Sequence, residues 1–512
     1  MNESRRPIAA GDVIVPGVFA LMKFLFHLPV LNRYGYHHDE LYFIACGQHP
    51  AFGYVDHSPM TPWIARLAQT LFGDSLFGLR LFPLLAGTAA LFLTGLLVRR
   101  LGGGRFAQAL ACLAMLMAPV YLRSGNMLCI PAFEPFFWVI GFYLLVRIVQ
   151  EDNPRLWLGV GLVAGLGLMN KHSMLFFGFG LVVALALTSQ RKHFRSPWLY
   201  AGGLVAALVF LPNIVWQSQN DWATLVFLRG LNEGTMSEIS PVQFIIGQLL
   251  YLGPFAPPLW ITGLCFLLFS KAGKPYAMFG YMYVAVFLLL ILIASKIYYL
   301  APAYPVLFAA GAIAIEGWAS RPRRAWLRPA SAAVVFAGGA ALAPLSVPIL
   351  SLPATEKYIA AATFGALGNV YELTGDLRGM FGWQERADAI AKVYDTLSEE
   401  EKAKTVIYTG SYGLAGAVDL FGDSRGLPNA VSGHMTFHLW GLPDHPIENV
   451  IMAYISQEAM DYSKKNFESV EVASSTEIYP NHVDPDELFR VYLCRGARVD
   501  LHDDWKDFRD WE

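Results

Sequence analysis

The chain has 512 residues, 55% hydrophobic and only 15% charged, with a formal net charge of −2. Soluble domains carry nearer a quarter charged residues, so an ordinary soluble enzyme is excluded, as are a basic nucleic-acid-binding protein and a disordered chain. The charge is also unevenly spread: residues 1–351 hold 24 Lys+Arg against 13 Asp+Glu, whereas residues 352–512 hold 14 against 27. These numbers predict a polytopic α-helical membrane body (1–351) joined to a soluble, acidic α/β domain (352–512).

A membrane span needs about 20 apolar residues. Such runs fall at 12–31, 76–98, 106–122, 132–149, 156–170, 173–188, 197–215, 242–269, 276–294, 299–317 and 329–350, which predicts about eleven spans. Pro254, Pro257 and Pro258 interrupt the eighth run, which predicts a kink or a re-entrant segment there. Alternate connections carry basic clusters: Arg5/Arg6, Arg99/Arg100/Arg105, Arg147/Arg155, Arg191/Lys192/Arg195, Lys271/Lys274 and Arg321/Arg323/Arg324/Arg328. The positive-inside rule puts these in the cytoplasm, with the N-terminus inside and, for an odd number of spans, the C-terminal domain outside.

The outside connections are then the places for chemistry. The first, residues 32–75, contains His37, His38, Asp39 and Glu40, then Asp56, His57, Ser58 and Pro59. Paired carboxylates can deprotonate a hydroxyl or hold a divalent ion, so Asp39, Glu40 and Asp56 are the catalytic candidates. His38, Asp39 and His57 are the candidate metal ligands. The bland reading is that these residues cap loop helices. Trp63, Ile64, Leu67, Leu71 and Phe72 fall at helical spacing and predict an amphipathic segment at the interface. The connection near 216–240 is polar, with Asn220, Asp221, Asn232 and Glu233.

Arg123, Lys171 and Lys296 lie on the same outer side, the last followed by Tyr298 and Tyr299. Together they can hold a phosphate, although basic residues at an interface commonly snorkel to headgroups. Glu134 sits among aromatics at the start of the fourth run and needs a partner, structural or substrate. In the tail, 383–397 and 457–467 read as helices, and KTVIYTG, ENVIMAYIS and LFRVYLCRG as strands. GSYGLAG at 410–416 lacks the spacing of a dinucleotide site, so no nucleotide cofactor is expected. Cys46 and Cys494 could pair in an oxidising compartment.

Taken in order, the first span, Asp39-Glu40, YVDHSP, the amphipathic loop helix and KIYYLAPAYP resemble the GT-C superfamily. Within it the chain is similar to the protein O-mannosyltransferase and lipid A aminoarabinose transferase group, in the bacterial branch that includes rhizobial galacturonosyltransferases. GLGLMNKHSMLFF and NIVWQSQNDWATLVF add to the likeness, which covers about residues 1–320. The resemblance implies a glycosyltransferase of the bacterial inner membrane. It would take sugar from a polyprenyl-phosphate donor on the outer face and pass it to a lipid, glycan or protein acceptor. Asp39 matches the family's loop acid, with Glu40 beside it. His57 stands where aminoarabinose transferases have a phosphate-binding lysine, and Glu134 is shifted along its helix from the aspartate of relatives. A lipid flippase or transporter, and a non-catalytic membrane assembly protein, are the rival readings. A transporter should show repeated halves, which this chain lacks.

Overall fold

The computed structural model describes residues 8–233, 239–365, 375–478 and 488–511. Among the described residues, seven helices are long and apolar enough to cross a membrane: Ala10–Val30, Leu76–Arg100, Ile130–Glu151, Pro197–Gln219, Lys274–Leu292, Ile297–Ala319 and Pro322–Ser346. Two bent pairs, Met174–Leu187 with Ser189–Arg195 and Pro241–Leu252 with Pro257–Phe269, raise the number to nine if each is one span. The second bends by 110° at the proline cluster, where the missing N–H groups end one helix and start the next. The expected eleven are therefore not confirmed as a count. Arg105–Met117 and Leu156–Asn170 are apolar helices of 13 and 15 residues, short of a bilayer's hydrocarbon thickness at 1.5 Å per residue.

Packing in the bundle depends on small residues, because lipid tails remove the hydrophobic drive between helices. A Cβ on Gly161 would lie 2.0 Å from the Gly202 carbonyl oxygen, so the helices Leu156–Asn170 and Pro197–Gln219 approach at backbone contact. The outer flank of Pro197–Gln219 exposes Leu204, Leu208 and Leu211, as a lipid-facing surface should.

The C-terminal region holds a five-stranded sheet, β1 (Thr405–Thr409), β2 (Ala430–Val431), β3 (Asn449–Ala453), β4 (Phe467–Thr476) and β5 (Phe489–Ala497), in the order β2-β1-β3-β5-β4. β1 pairs in parallel with β2 and β3, and β5 runs antiparallel to β3 and β4. The helices Trp383–Tyr394 and Gln457–Asn466 fall where their periodicity predicts. Cys46 and Cys494 are separate buried thiols, so the pairing considered from the sequence does not form. The C-terminal region and the loop after the first span are joined. Arg33 donates to the Ile349 carbonyl at 2.6 Å, Tyr34 lies 2.9 Å from Thr355 Oγ1, and the His38 amide donates to the Gly379 carbonyl at 3.1 Å.

Candidate active site

The helix His38–Gln48 starts on His37, whose Nδ1 accepts the Asp39 N–H at 3.2 Å. Two acids in its first turn suit the positive end of the helix dipole. They have opposite fates. Glu40 is fully buried and spends all its acceptor capacity on structure. It takes Arg80 Nε and Nη2 at 2.9 and 2.8 Å, the His37 N–H at 2.9 Å and the Leu128 N–H at 2.9 Å. Arg80 also donates to the carbonyls of Leu31, Arg33 and Gly35. The pair thus ties the loop's entry to two other segments, and leaves Glu40 no lone pair for a substrate.

Asp39 keeps a third of its side chain exposed. Its carboxylate lies 3.3 Å from His38 Nε2 and 3.6 Å from His37 Nδ1, and accepts the Tyr412 hydroxyl at 2.9 Å. Burial alone would raise its pKa; the neighbouring His38 and His37, the Tyr412 hydrogen bond and Arg123 together outweigh burial and hold it below the ordinary range. Burial pushes His37 well below the usual imidazole range. A neutral ring is what its capping role requires, because Nδ1 must offer a lone pair.

One turn further on, Tyr42 donates to Asp56 Oδ1 at 2.7 Å and receives the Thr436 N–H at 3.2 Å. The rings of Tyr42 and Tyr412 are 4.6 Å apart. Two adjacent phenols therefore serve two aspartates, one ring from the loop and one from the C-terminal region. The approach explains the glycines of GSYGLAG. A Cβ on Gly413 would meet His38 Cβ at 2.7 Å, and one on Gly416 the Leu41 carbonyl at 2.7 Å, so helix Tyr412–Gly422 can lie flat on His38–Gln48.

The expected metal set is not assembled. His57 is buried, with Nδ1 3.0 Å from the Ser58 carbonyl and Nε2 between Asp56 (3.8 Å) and Cys46 (4.0 Å). His37, His38 and Asp39 do bring donor atoms within 4.8 Å of one another. Yet His37 Nδ1 already accepts a backbone N–H, so only two of the three could ligate without breaking the helix start. That leaves His38 and Asp39 as the two donors of this trio open to a divalent ion.

Glu134 finds the partner its aromatic surroundings demand. Lys171 Nζ lies 2.9 Å from its Oε2 and Ser173 donates to Oε1. The same ammonium sits 4.0 Å from the Tyr299 ring centroid and 4.8 Å from that of Tyr298. Lys296, half-buried beside them, has no ion pair among the described residues. Arg123 acts electrostatically on Asp39 and His37 and also on Tyr298, which makes it the link between the two groups. Its short helix, Pro119–Ser124, is clamped from the first span: Lys23 Nζ donates to the Tyr121 carbonyl at 2.8 Å and His27 Nε2 lies 3.0 Å from the Leu122 carbonyl. Sequence reasoning missed Lys23, His27, Tyr42, Tyr412 and Thr436. Two buried basic residues, a lysine and a histidine, inside an apolar span were a readable signal; the three hydroxyls were not.

The helical bundle, with an acid-bearing loop at one end under a small sheet domain, defines a multi-span membrane protein. The resemblance read from the motifs is borne out: residues 56–216 match the family model for dolichyl-phosphate-mannose-protein mannosyltransferase. An undecaprenyl phosphate-alpha-4-amino-4-deoxy-L-arabinose arabinosyl transferase of Pseudomonas fluorescens is 31% identical over 215 residues, 39% of this chain and 38% of that protein. Lipid A galacturonosyltransferase RgtD of Rhizobium johnstonii is 27% identical over 233 residues, 43% and 48% of the two chains. The chain thus matches less than half the length of these relatives. ArnT from Cupriavidus metallidurans, solved bound to undecaprenyl phosphate, shares the fold: TM-score 0.60 at 16% identity, over 96% of this chain and 99% of that one.

Proposed function

We propose that the protein is an integral-membrane glycosyltransferase that moves a sugar from a polyprenyl-phosphate donor to a lipid, glycan or protein acceptor. The observation that carries this reading is Asp39: an ionised, part-exposed carboxylate held by Tyr412 at one end of the bundle, with Arg123 acting on both it and the tyrosine–lysine group. The named relatives supply the substrate class, since one is an undecaprenyl phosphate-dependent arabinosyl transferase and another a lipid A galacturonosyltransferase. In this reading 1–351 is the transferase body and 352–512 a domain on the outer, periplasmic face of the bacterial inner membrane, with the N-terminus cytoplasmic.

The reaction needs no nucleotide, because the donor's leaving group is already a charged phosphate. The acceptor hydroxyl oxygen attacks the anomeric carbon, its proton passes to Asp39, and the bond from that carbon to the phosphate oxygen breaks. A positioned base of this kind contributes about 10²–10⁴-fold. Asp56, oriented by Tyr42, assists in holding the acceptor. Arg123 and Lys296 balance the charge that grows on the departing phosphate, with Lys171, Tyr298 and Tyr299 as its wall. Glu40 positions the loop and does not touch substrate. No step runs through a metal ion.

The test is direct. Proteoliposomes holding the chain are incubated with undecaprenyl-phosphate sugars labelled in the sugar, together with an extract of envelope lipids and glycans. Label should move to the acceptor fraction and undecaprenyl phosphate should accumulate. Exchange of the intact lipid between leaflets, without bond cleavage, would support the flippase reading instead.

A further inference from the structure

A cleft of about 880 Å³ lies between the loop helix Ala223–Glu233 and the C-terminal region. Ordinary small-molecule pockets run to roughly 300–1,000 Å³, so this one stands at the upper end of that range. Its lining combines two chemistries. Tyr408, Tyr462, Phe508 and Trp511 supply aromatic surface, with Phe508 packed edge-on against Tyr462 at 4.9 Å and Tyr408 at 5.9 Å. Glu458, Asp504, Asp507 and Asp510 supply carboxylates, against the two guanidinium groups of Arg229 and Arg509.

Pyranose rings present a face of C–H groups that packs on aromatic rings, and a rim of hydroxyls that carboxylates accept. Aromatic floor and carboxylate rim are therefore what a sugar chain needs. A phosphorylated headgroup would meet an excess of negative charge here and be disfavoured. Amines would gain from it.

The cleft also communicates with Asp39. Its wall at Asp510 runs as a parallel bridge beside His434, with the Met435 N–H donating to the Asp510 carbonyl and the Asp510 N–H to the Gly433 carbonyl, both at 2.9 Å. His434 Nδ1 accepts the Tyr412 N–H at 3.3 Å, and its ring lies 4.8 Å from that of Tyr412. Thr436, on the same segment, holds Tyr42. One strand-width thus separates the cleft from the two tyrosines that serve the aspartates.

We propose that this cleft binds the acceptor, and that the acceptor is a neutral or amine-bearing oligosaccharide, not a phosphate-bearing lipid headgroup. The inference rests on the transferase reading for the word acceptor, but the cleft's ligand class is testable apart from it.

The experiment uses the full chain in nanodiscs and saturation-transfer NMR with three probes: cellotetraose, its glucosamine counterpart, and the bisphosphorylated glucosamine disaccharide. On the parent the two tetrasaccharides should bind, the amine-bearing one more tightly, and the bisphosphate should not. The exposed pair Glu458→Ala with Asp507→Ala should weaken the glucosamine tetramer about tenfold or more, and Glu458→Lys with Asp507→Lys should admit the bisphosphate. No binding of either tetrasaccharide, binding that the variants leave unchanged, or a bisphosphate that binds the parent as well as the tetrasaccharides would each overturn the proposal. Undecaprenyl phosphate binding to the parent is a separate arm. Its absence with oligosaccharide binding intact would remove the transferase reading and leave a carbohydrate cleft; the reverse would remove the cleft alone.

Discussion

The hydroxyl of Tyr412 lies 2.9 Å from Oδ1 of Asp39, although 373 residues separate them in the chain. The C-terminal region is thereby part of the candidate site, because it fixes the carboxylate that the chemistry requires.

Tyr412→Phe removes that hydrogen bond and one of the influences that keep Asp39 acidic. Asp39 should be ionised throughout the neutral range, so kcat/KM of the parent should be flat from about pH 5 to 8 on its acid side. The variant should lose about tenfold in kcat, and its acid limb should move upward. A variant with the parent's rate and pH profile would show that Tyr412 only packs.

Glu40→Gln leaves the Arg80 guanidinium buried without its counter-charge and with one acceptor oxygen fewer. Removing one member of a buried pair costs about 3–5 kcal/mol. The detergent-solubilised variant should therefore melt well below the parent, whereas Asp39→Asn, which removes no buried guanidinium's partner, should melt near it. Equal melting temperatures for the two variants would contradict the division of labour between the adjacent acids.

Lys296→Met and Lys171→Met separate a cation without a carboxylate from one already balanced by Glu134. The Lys296 change should raise the donor KM by about tenfold or more with a smaller effect on kcat. The Lys171 change strands a buried carboxylate and should be recovered in part by Glu134→Gln, which the Lys296 change should not be.

Burial pushes the Asp419 carboxyl up to about 7, the Ala430 N–H opposing it. In the unfolded chain it titrates near 4. Between those values the folded form holds a proton that the unfolded form lacks, so its contribution to stability falls as pH rises from about 4 to about 7. The protection of amides in the C-terminal sheet of the full chain, taken relative to their intrinsic base-catalysed exchange rate at each pH, should be lower at pH 8 than at pH 5. Asp419→Asn should flatten that dependence; an unchanged slope would place the titrating group elsewhere.

What the sequence made legible follows from the range of each interaction. Met60–Phe72, Trp383–Tyr394 and the strands β1, β3 and β5 carry their own periodicity and appear where expected. β4 was missed because only Phe467 in it is buried, so no apolar alternation marks it. β2 has two residues and exists only through its pairing with β1. The count of eleven spans is not confirmed, because apolar content does not register helix length: Arg105–Met117 stops at Ala118, whose extended backbone precedes Pro119. Asp39 and Glu40 looked alike as neighbours; Arg80, forty residues on, is what consumes Glu40. No local pattern could pair Tyr412 with Asp39.

The central claim is that Asp39 takes the acceptor's proton, and one substitution addresses it. Asp39→Asn keeps the shape and the first-turn position while removing the charge, and Asp74→Asn, at the far end of the same loop where the Asp74 carboxylate accepts only Gln69 among described side chains, is the control. Sugar transfer from a labelled undecaprenyl-phosphate donor is measured for both in proteoliposomes, with donor binding measured alongside. The account predicts a fall of about 10²–10⁴-fold in kcat for Asp39→Asn with donor bound normally, and a rate within about twofold of the parent for Asp74→Asn. Transfer by Asp39→Asn at the parent rate would contradict it.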